Sequence, residues 1–165
     1  MADGLTFKIE GADLIIDRLS TLPKKLQRKA AKIAARRGMN IVRDEARRNA
    51  RKIDDPVSRN TIWKNIRTQE ATRSGRRIGG VVMRVGVVGT AQLGKKRAQR
   101  EAESANLPGK ATQHWRMFEF GSKTTRAQPF MRPALASKVN AVTDKVAAEL
   151  SAAIERLADS ASGAS

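Results

Sequence analysis

A chain of 165 residues is long enough for one domain that buries roughly 70% of its unfolded surface, but 40% apolar and 4% aromatic content with a net charge of +17 leave a lean, self-repelling core. The absence of cysteine excludes a disulfide framework, a thiol nucleophile and a zinc–thiolate site, and a single histidine, His114, excludes a His-pair metal site. No run of about 18 apolar residues is present to span a membrane, and Met1-Ala2-Asp3-Gly4 lacks the basic and apolar regions of a secretion signal, so the expectation is a soluble, intracellular protein.

Leu5, Phe7 and Ile9 alternate with Thr6 and Lys8, the period of a half-buried strand. Gly11 breaks the run, and Asp13 can cap a short helical turn through Leu14, Ile15 and Leu19. Pro23 fits the first position of a second helix, with Thr21 as its cap, running to about Lys52. Leu26, Ala30, Ile33, Ala34, Ile41 and Ala46 form its apolar stripe, and Gly38 marks a kink or a close approach. The opposite face is basic, with Arg28, Lys32, Arg36, Arg37, Arg43, Arg47, Arg48 and Arg51 as the candidate surface for a polyanion or an acidic partner.

Asp54-Asp55-Pro56 ends that helix. Ile62, Trp63 and Ile66 anchor a turn and strand reaching about Ala71, and residues 81–88 read as a second strand. Ser74-Gly75-Arg76-Arg77 and Gly79-Gly80 predict a basic hairpin loop between them. From about 89 to 112 the pattern dissolves, and a stretch of that length is an arm, with Leu93, Lys95, Lys96, Arg97, Arg100 and Leu107 as candidate inter-subunit contacts. Leu135, Val139, Val142, Val146, Leu150, Ile154 and Leu157 are spaced 4, 3, 4, 4, 4 and 3, which predicts a long amphipathic C-terminal helix. The expected fold is α+β, a small, mostly antiparallel sheet packed by the two long helices. It forms one domain over residues 1–159, followed by a polar tail that frays.

The charge is segregated: residues 23–132 hold 28 Lys+Arg against eight Asp+Glu, while both flanks are net negative. Such a middle attracts polyanions or acidic surfaces. The aromatics Trp63, Trp115, Phe118, Phe120 and Phe130 lie outside the basic helix, so the pattern favours phosphate contact without base readout. Catalysis finds little footing. The acid pairs Asp44/Glu45, Asp54/Asp55 and Glu101/Glu103 sit in basic stretches as charge balance, and His114 has no orienting partner. The glycines match no phosphate-cradling fingerprint. The expectation is a protein without catalytic activity, cofactor or metal.

One stretch stands apart: His114-Trp115-Arg116-Met117-Phe118-Glu119-Phe120-Gly121-Ser122, then Ala127-Gln128-Pro129-Phe130-Met131-Arg132-Pro133-Ala134-Leu135. Gly121 permits a tight reversal after the aromatic run, Pro129 and Pro133 stiffen the entry to the last helix, and Phe118, Phe120, Phe130 and Met131 are expected to be buried. As a pattern, Trp115-x-x-x-Glu119-Phe120-Gly121-Ser122 followed by Gln128-Pro129-Phe130-Met131-Arg132-Pro133 resembles the minor tail or tail-completion family of long-tailed bacteriophages, the group that joins head and tail. The 89–112 arm is longer than that pattern usually allows. The resemblance implies a structural virion protein of the neck or tail end, made in the host cytoplasm and assembled as a cyclic homo-oligomer, six copies being the preferred number. Its implied neighbours are the tail terminator, the tail tube or a head-closure ring, with packaged DNA a further partner through nonspecific charge. The charge by itself fits a second reading, a free basic protein that binds nucleic acid without sequence preference.

Overall fold

The computed structural model describes residues 12–54, 61–88, 107–110, 112 and 114–162. The strand expected at Leu5–Ile9 and most of the arm lie outside them. In chain order the elements are α1 (Ala12–Ser20), α2 (Lys24–Arg51), α3 (Ile62–Asn65), β1 (Ile66–Glu70), α4 (Thr72–Ile78), β2 (Met83–Val87), α5 (Trp115–Phe120) and α6 (Met131–Ser162). The class is α+β, as the patterning predicts.

The frame is the antiparallel pair α2 and α6. Every fourth residue of α2 is buried: Ala30, Ala34, Gly38, Val42, Ala46 and Ala50. A row of such small side chains lets the two backbones approach closely. A Cβ on Gly38 would lie 2.5 Å from Val146 Cγ2 and 3.2 Å from the Val142 carbonyl oxygen. The expectation of a close approach at Gly38 is met by packing against α6. The buried stripe differs from the predicted one. Ile33 is 40% exposed and Leu135 50% exposed, while their neighbours Ala34 and Ala134 are buried. At this helix separation the smaller residue occupies the seam and the larger one is turned outward. Leu157 lies among residues whose side chains are not described.

The helix ends also differ in detail. Thr21 does not cap α2. Its hydroxyl donates to the Arg18 carbonyl at 2.7 Å, closing α1. Pro23 holds the α2 N-cap position at φ −55°, ψ 137°, with no side-chain cap. Helix α6 continues through Ser162, past Asp159, where the sequence predicts a frayed tail.

Strands β1 and β2 pair antiparallel, Ile66 opposite Val87 through Glu70 opposite Met83. Bonds from Ala71 N–H to the Val82 oxygen and from Val88 N–H to the Asn65 oxygen, both 2.9 Å, extend the ladder at its ends. The connection is not an irregular basic loop. Residues 72–78 form α4, because Gly75 N–H reaches the Ala71 oxygen at 2.9 Å and the helix closes on Gly79. Both strands lie against α2, and α2 packs in turn along α6. The core gathers near the C-terminal end of α2, where Val42, Ala46 and Ala50 meet Ile62, Ile66, Phe130 and Ala134.

Candidate functional site

The segment from Trp115 to Pro133 is built around one carboxylate. Helix α5 puts Trp115, Phe118 and Glu119 on its inner side, following the i, i+3, i+4 spacing, and leaves Met117 and Phe120 outside. Its last turn closes through Gly121 N–H to the Met117 oxygen at 2.9 Å, and Gly121 then takes φ 80°, ψ 171°, a conformation a side chain resists. The returning segment is held by Gln128 N–H donating to the Phe118 oxygen at 2.7 Å. Glu119, 1% exposed, then faces the start of α6. Its Oε2 accepts from the backbone N–H of Phe130 at 2.8 Å and Met131 at 2.9 Å, and its Oε1 from that of Arg132 at 3.0 Å. A helix start leaves four amide positions without intrahelical partners. Glu119 serves three, and the fourth is Pro133, which has no N–H. That complete accounting is the physical reason for a Glu here paired with Pro-Phe-x-Arg-Pro.

Arg132 covers this cap from outside, donating from Nε to Glu119 Oε1 at 3.3 Å and from Nη2 to the Glu119 carbonyl at 2.7 Å, with its guanidinium 5.2 Å from the Phe120 ring centre. Phe130, 1% exposed, is the buried plug, with Trp115 packed edge-on at 6.4 Å. Phe118 and Met131 are half-buried, and Gln128, Pro129 and Pro133 are exposed. Phe120 corrects the expected burial. It is 62% exposed because one more residue along a helix turns the side chain by about 100°, away from the inward-facing Glu119. With Met117 (46%) and Leu135 (50%) it adds to the exposed apolar surface of this region. An open groove of about 270 Å³ runs between Met39, Val42, Val85, Met131 and Leu135.

The basic residues of α2 do not form one continuous free face. Lys32 pairs with Glu70, and Arg37 with Glu149 of α6, which also binds Lys145 at 3.0 Å. Arg43 holds Asp44 at 2.8 Å and Asn40 at 3.0 Å, and Arg48 holds Glu45 at 3.1 Å. Arg47 donates twice to the Ile66 carbonyl, at 3.1 and 2.8 Å, and burial followed by the charge of Arg43 lowers its pKa. Arg51 lies over the Trp63 ring at 4.2 Å. Arg28 and Arg36 are exposed and project charge towards Glu70. Hydrogen bonds, from Lys32 to Glu70 and from Lys145 and Arg37 to Glu149, hold both carboxyls below the ordinary value.

The end of the arm packs on its own domain. Asn65, fully buried, donates from Nδ2 to the Lys110 carbonyl and to Thr112 Oγ1, both at 2.9 Å, and accepts from Gly109 N–H at 2.9 Å. Leu107 is half-buried in this turn, whereas the sequence places it in a segment with too little apolar content to pack. Leu93, Lys95, Lys96, Arg97 and Arg100 lie outside the described residues. Asn65 escaped the sequence reading because a lone Asn after Trp-Lys carries no pattern.

Among the described residues no three His, Asp or Glu side chains gather as metal ligands, and His114 packs edge-on against Phe118 at 5.8 Å. No curated protein and no solved structure matches the chain. A family model does match, over residues 13–121, which include all but the first residue of α1, the elements from α2 to β2 and the Trp115–Gly121 half of the junction. Its description is "Bacteriophage HK97-gp10, putative tail-component", and with more than half of the sequence matched the chain belongs to this HK97-gp10-like family of phage tail components.

Proposed function

We propose that this tail component, a part of the virion, is a ring-forming protein of the neck or tail end that completes the tail and joins it to the head. The observation carrying the reading is the exposed apolar surface of Met117, Phe120 and Leu135 near the capped junction. A chain of net charge +17 repels its own copies, so an apolar surface is the part of the molecule suited to hold them together. Repetition of one contact between unlike surfaces gives a ring when the rotation from copy to copy closes, and six copies are our preferred number. The partners above and below are the tail terminator, the tail tube or a head-closure ring, met after synthesis in the host cytoplasm. The stretch of about 89–112 serves as an arm towards a neighbouring subunit, and Asn65 holds Gly109, Lys110 and Thr112 on the domain.

Light scattering on the purified chain, together with complementation of a phage lacking it, tests the reading. The wild type should form a closed oligomer and yield joined particles. Phe120→Asp with Leu135→Asp should give a folded monomer and unjoined heads and tails. Full joining by that double variant would refute the apolar contact.

A further inference from the structure

Apart from Lys32 and Arg37, which pair with Glu70 and Glu149, the cations of α2 divide by partner. In its C-terminal half, Arg43, Arg47, Arg48 and Arg51 are held by Asp44, the Ile66 carbonyl, Glu45 and Trp63. In the N-terminal half, α2 carries no acid before Met39, and neither does α4, whose Arg73, Arg76 and Arg77 are all exposed. The N-terminal half of α2 faces the turn that ends α4 across an open cleft of about 500 Å³, where Lys24, Gln27, Arg28, Gly79 and Gly80 line the wall together with Leu19, Ala31 and Val81. Arg28, Arg73, Arg76 and Arg77 have no hydrogen bond or ion pair among the described residues. Glu70, at the junction of β1 with α4, is engaged by Lys32 and feels Arg28 and Arg36 as well, so it neutralises only a fraction of the local charge.

We infer that this α2–α4 cleft is a binding site for the phosphate backbone of duplex DNA. The inference rests on the proposed tail-end role only for the source of that DNA, the packaged genome. Arg28, Lys32 and Arg36 recur every four residues, about 6 Å apart along one helix, a row suited to a stiff and evenly charged strand. Phosphate contact needs donors and charge alone, and that is what α2 and α4 present. A single strand would call for stacking aromatics, and neither element has one. A protein partner would call for large buried aromatic or apolar anchors at the centre of the patch, and this cleft has no aromatic and sets only Leu19, Ala31 and Val81 beside its lysine, glutamine, arginine and glycines.

The test is fluorescence anisotropy of the full chain with two labelled duplexes of unrelated sequence, titrated across salt concentrations. Both should bind equally. Arg28→Gln, Arg73→Gln, Arg76→Gln and Arg77→Gln combined should weaken binding by about tenfold or more and flatten the plot of log K against log salt by about 0.9 for each phosphate no longer neutralised. Arg43→Gln with Arg48→Gln should leave that slope unchanged. The fourfold variant should melt at the wild-type temperature, because no described bond is removed. An unchanged slope in the fourfold variant overturns the site. So does a wild type that ignores duplex but binds polyglutamate, which would make the partner an acidic protein surface. Oligomeric state measured on the same samples tests the ring independently. A monomer that binds duplex overturns the ring and leaves the cleft standing, whereas a ring without duplex affinity overturns the cleft alone.

Discussion

Glu119→Ala removes the acceptor for three amide groups at the start of α6 and leaves Phe130 N–H, on a residue 1% exposed, with no substitute from solvent. A lost surface cap costs about 1 kcal/mol. Here the acceptor is a buried carboxylate serving three amides, and hydrogen bonds to a charged group are worth about 1.5–3 kcal/mol each, so the cost should reach about 3–5 kcal/mol. For a chain of this length that is a fall in melting temperature of about 6–20 °C. Glu119→Gln keeps one acceptor oxygen and should lose about 1–3 kcal/mol. Arg132→Gln should lose about 0–1 kcal/mol, because that guanidinium is 63% exposed and its charge is screened. Urea denaturation followed by far-UV circular dichroism measures all three, and hydrogen exchange should show the Met131 and Arg132 amides losing protection in the Ala variant. A loss below about 1 kcal/mol for Glu119→Ala would refute the cap as the organising element of the junction.

Gly38→Ala gains about 1 kcal/mol of helix propensity but places a methyl 2.5 Å from Val146 Cγ2, and over-packing of that kind costs about 1–3 kcal/mol. A net loss of about 1 kcal/mol is expected, reversed in sign when Val146→Ala makes room, and a double-mutant denaturation cycle reads the coupling. Glu70 and Glu149 have pKa values lowered by Lys32 and by Lys145 with Arg37, so their stabilisation is full above the ordinary carboxylate value of 4.5 and is lost as pH falls through the depressed values. Melting temperature against pH should therefore drop more steeply in acid for the wild type than for Glu149→Gln, and parallel curves would exclude the α2–α6 ion pair as a source of acid sensitivity.

Much of this fold is legible in the sequence because it is written in local periods. Residues 23–52 and 135–157 announce two long helices, residues 62–71 and 81–88 announce a turn and paired strands, and Gly121 with Pro129 and Pro133 announces a rigid junction. Periodicity identifies an apolar side of a helix, but it does not say how close the neighbouring helix comes. That distance selects Ala34 and Ala134 for the seam and turns Ile33 and Leu135 out, and it is a property of the α2–α6 pair.

The role of Glu119 is nonlocal in the same way. Its partners lie 11 to 13 residues away, beyond the reach of any capping pattern within one helix, and only the reversal at Gly121 brings them together. Composition establishes that the middle of the chain is strongly basic. Which of those charges remain available is decided by tertiary structure, because the groups that engage Lys32, Arg37 and Arg47, namely Glu70, Glu149 and the Ile66 carbonyl, come from other elements. A charge belongs to a residue, but its neutralisation belongs to the fold.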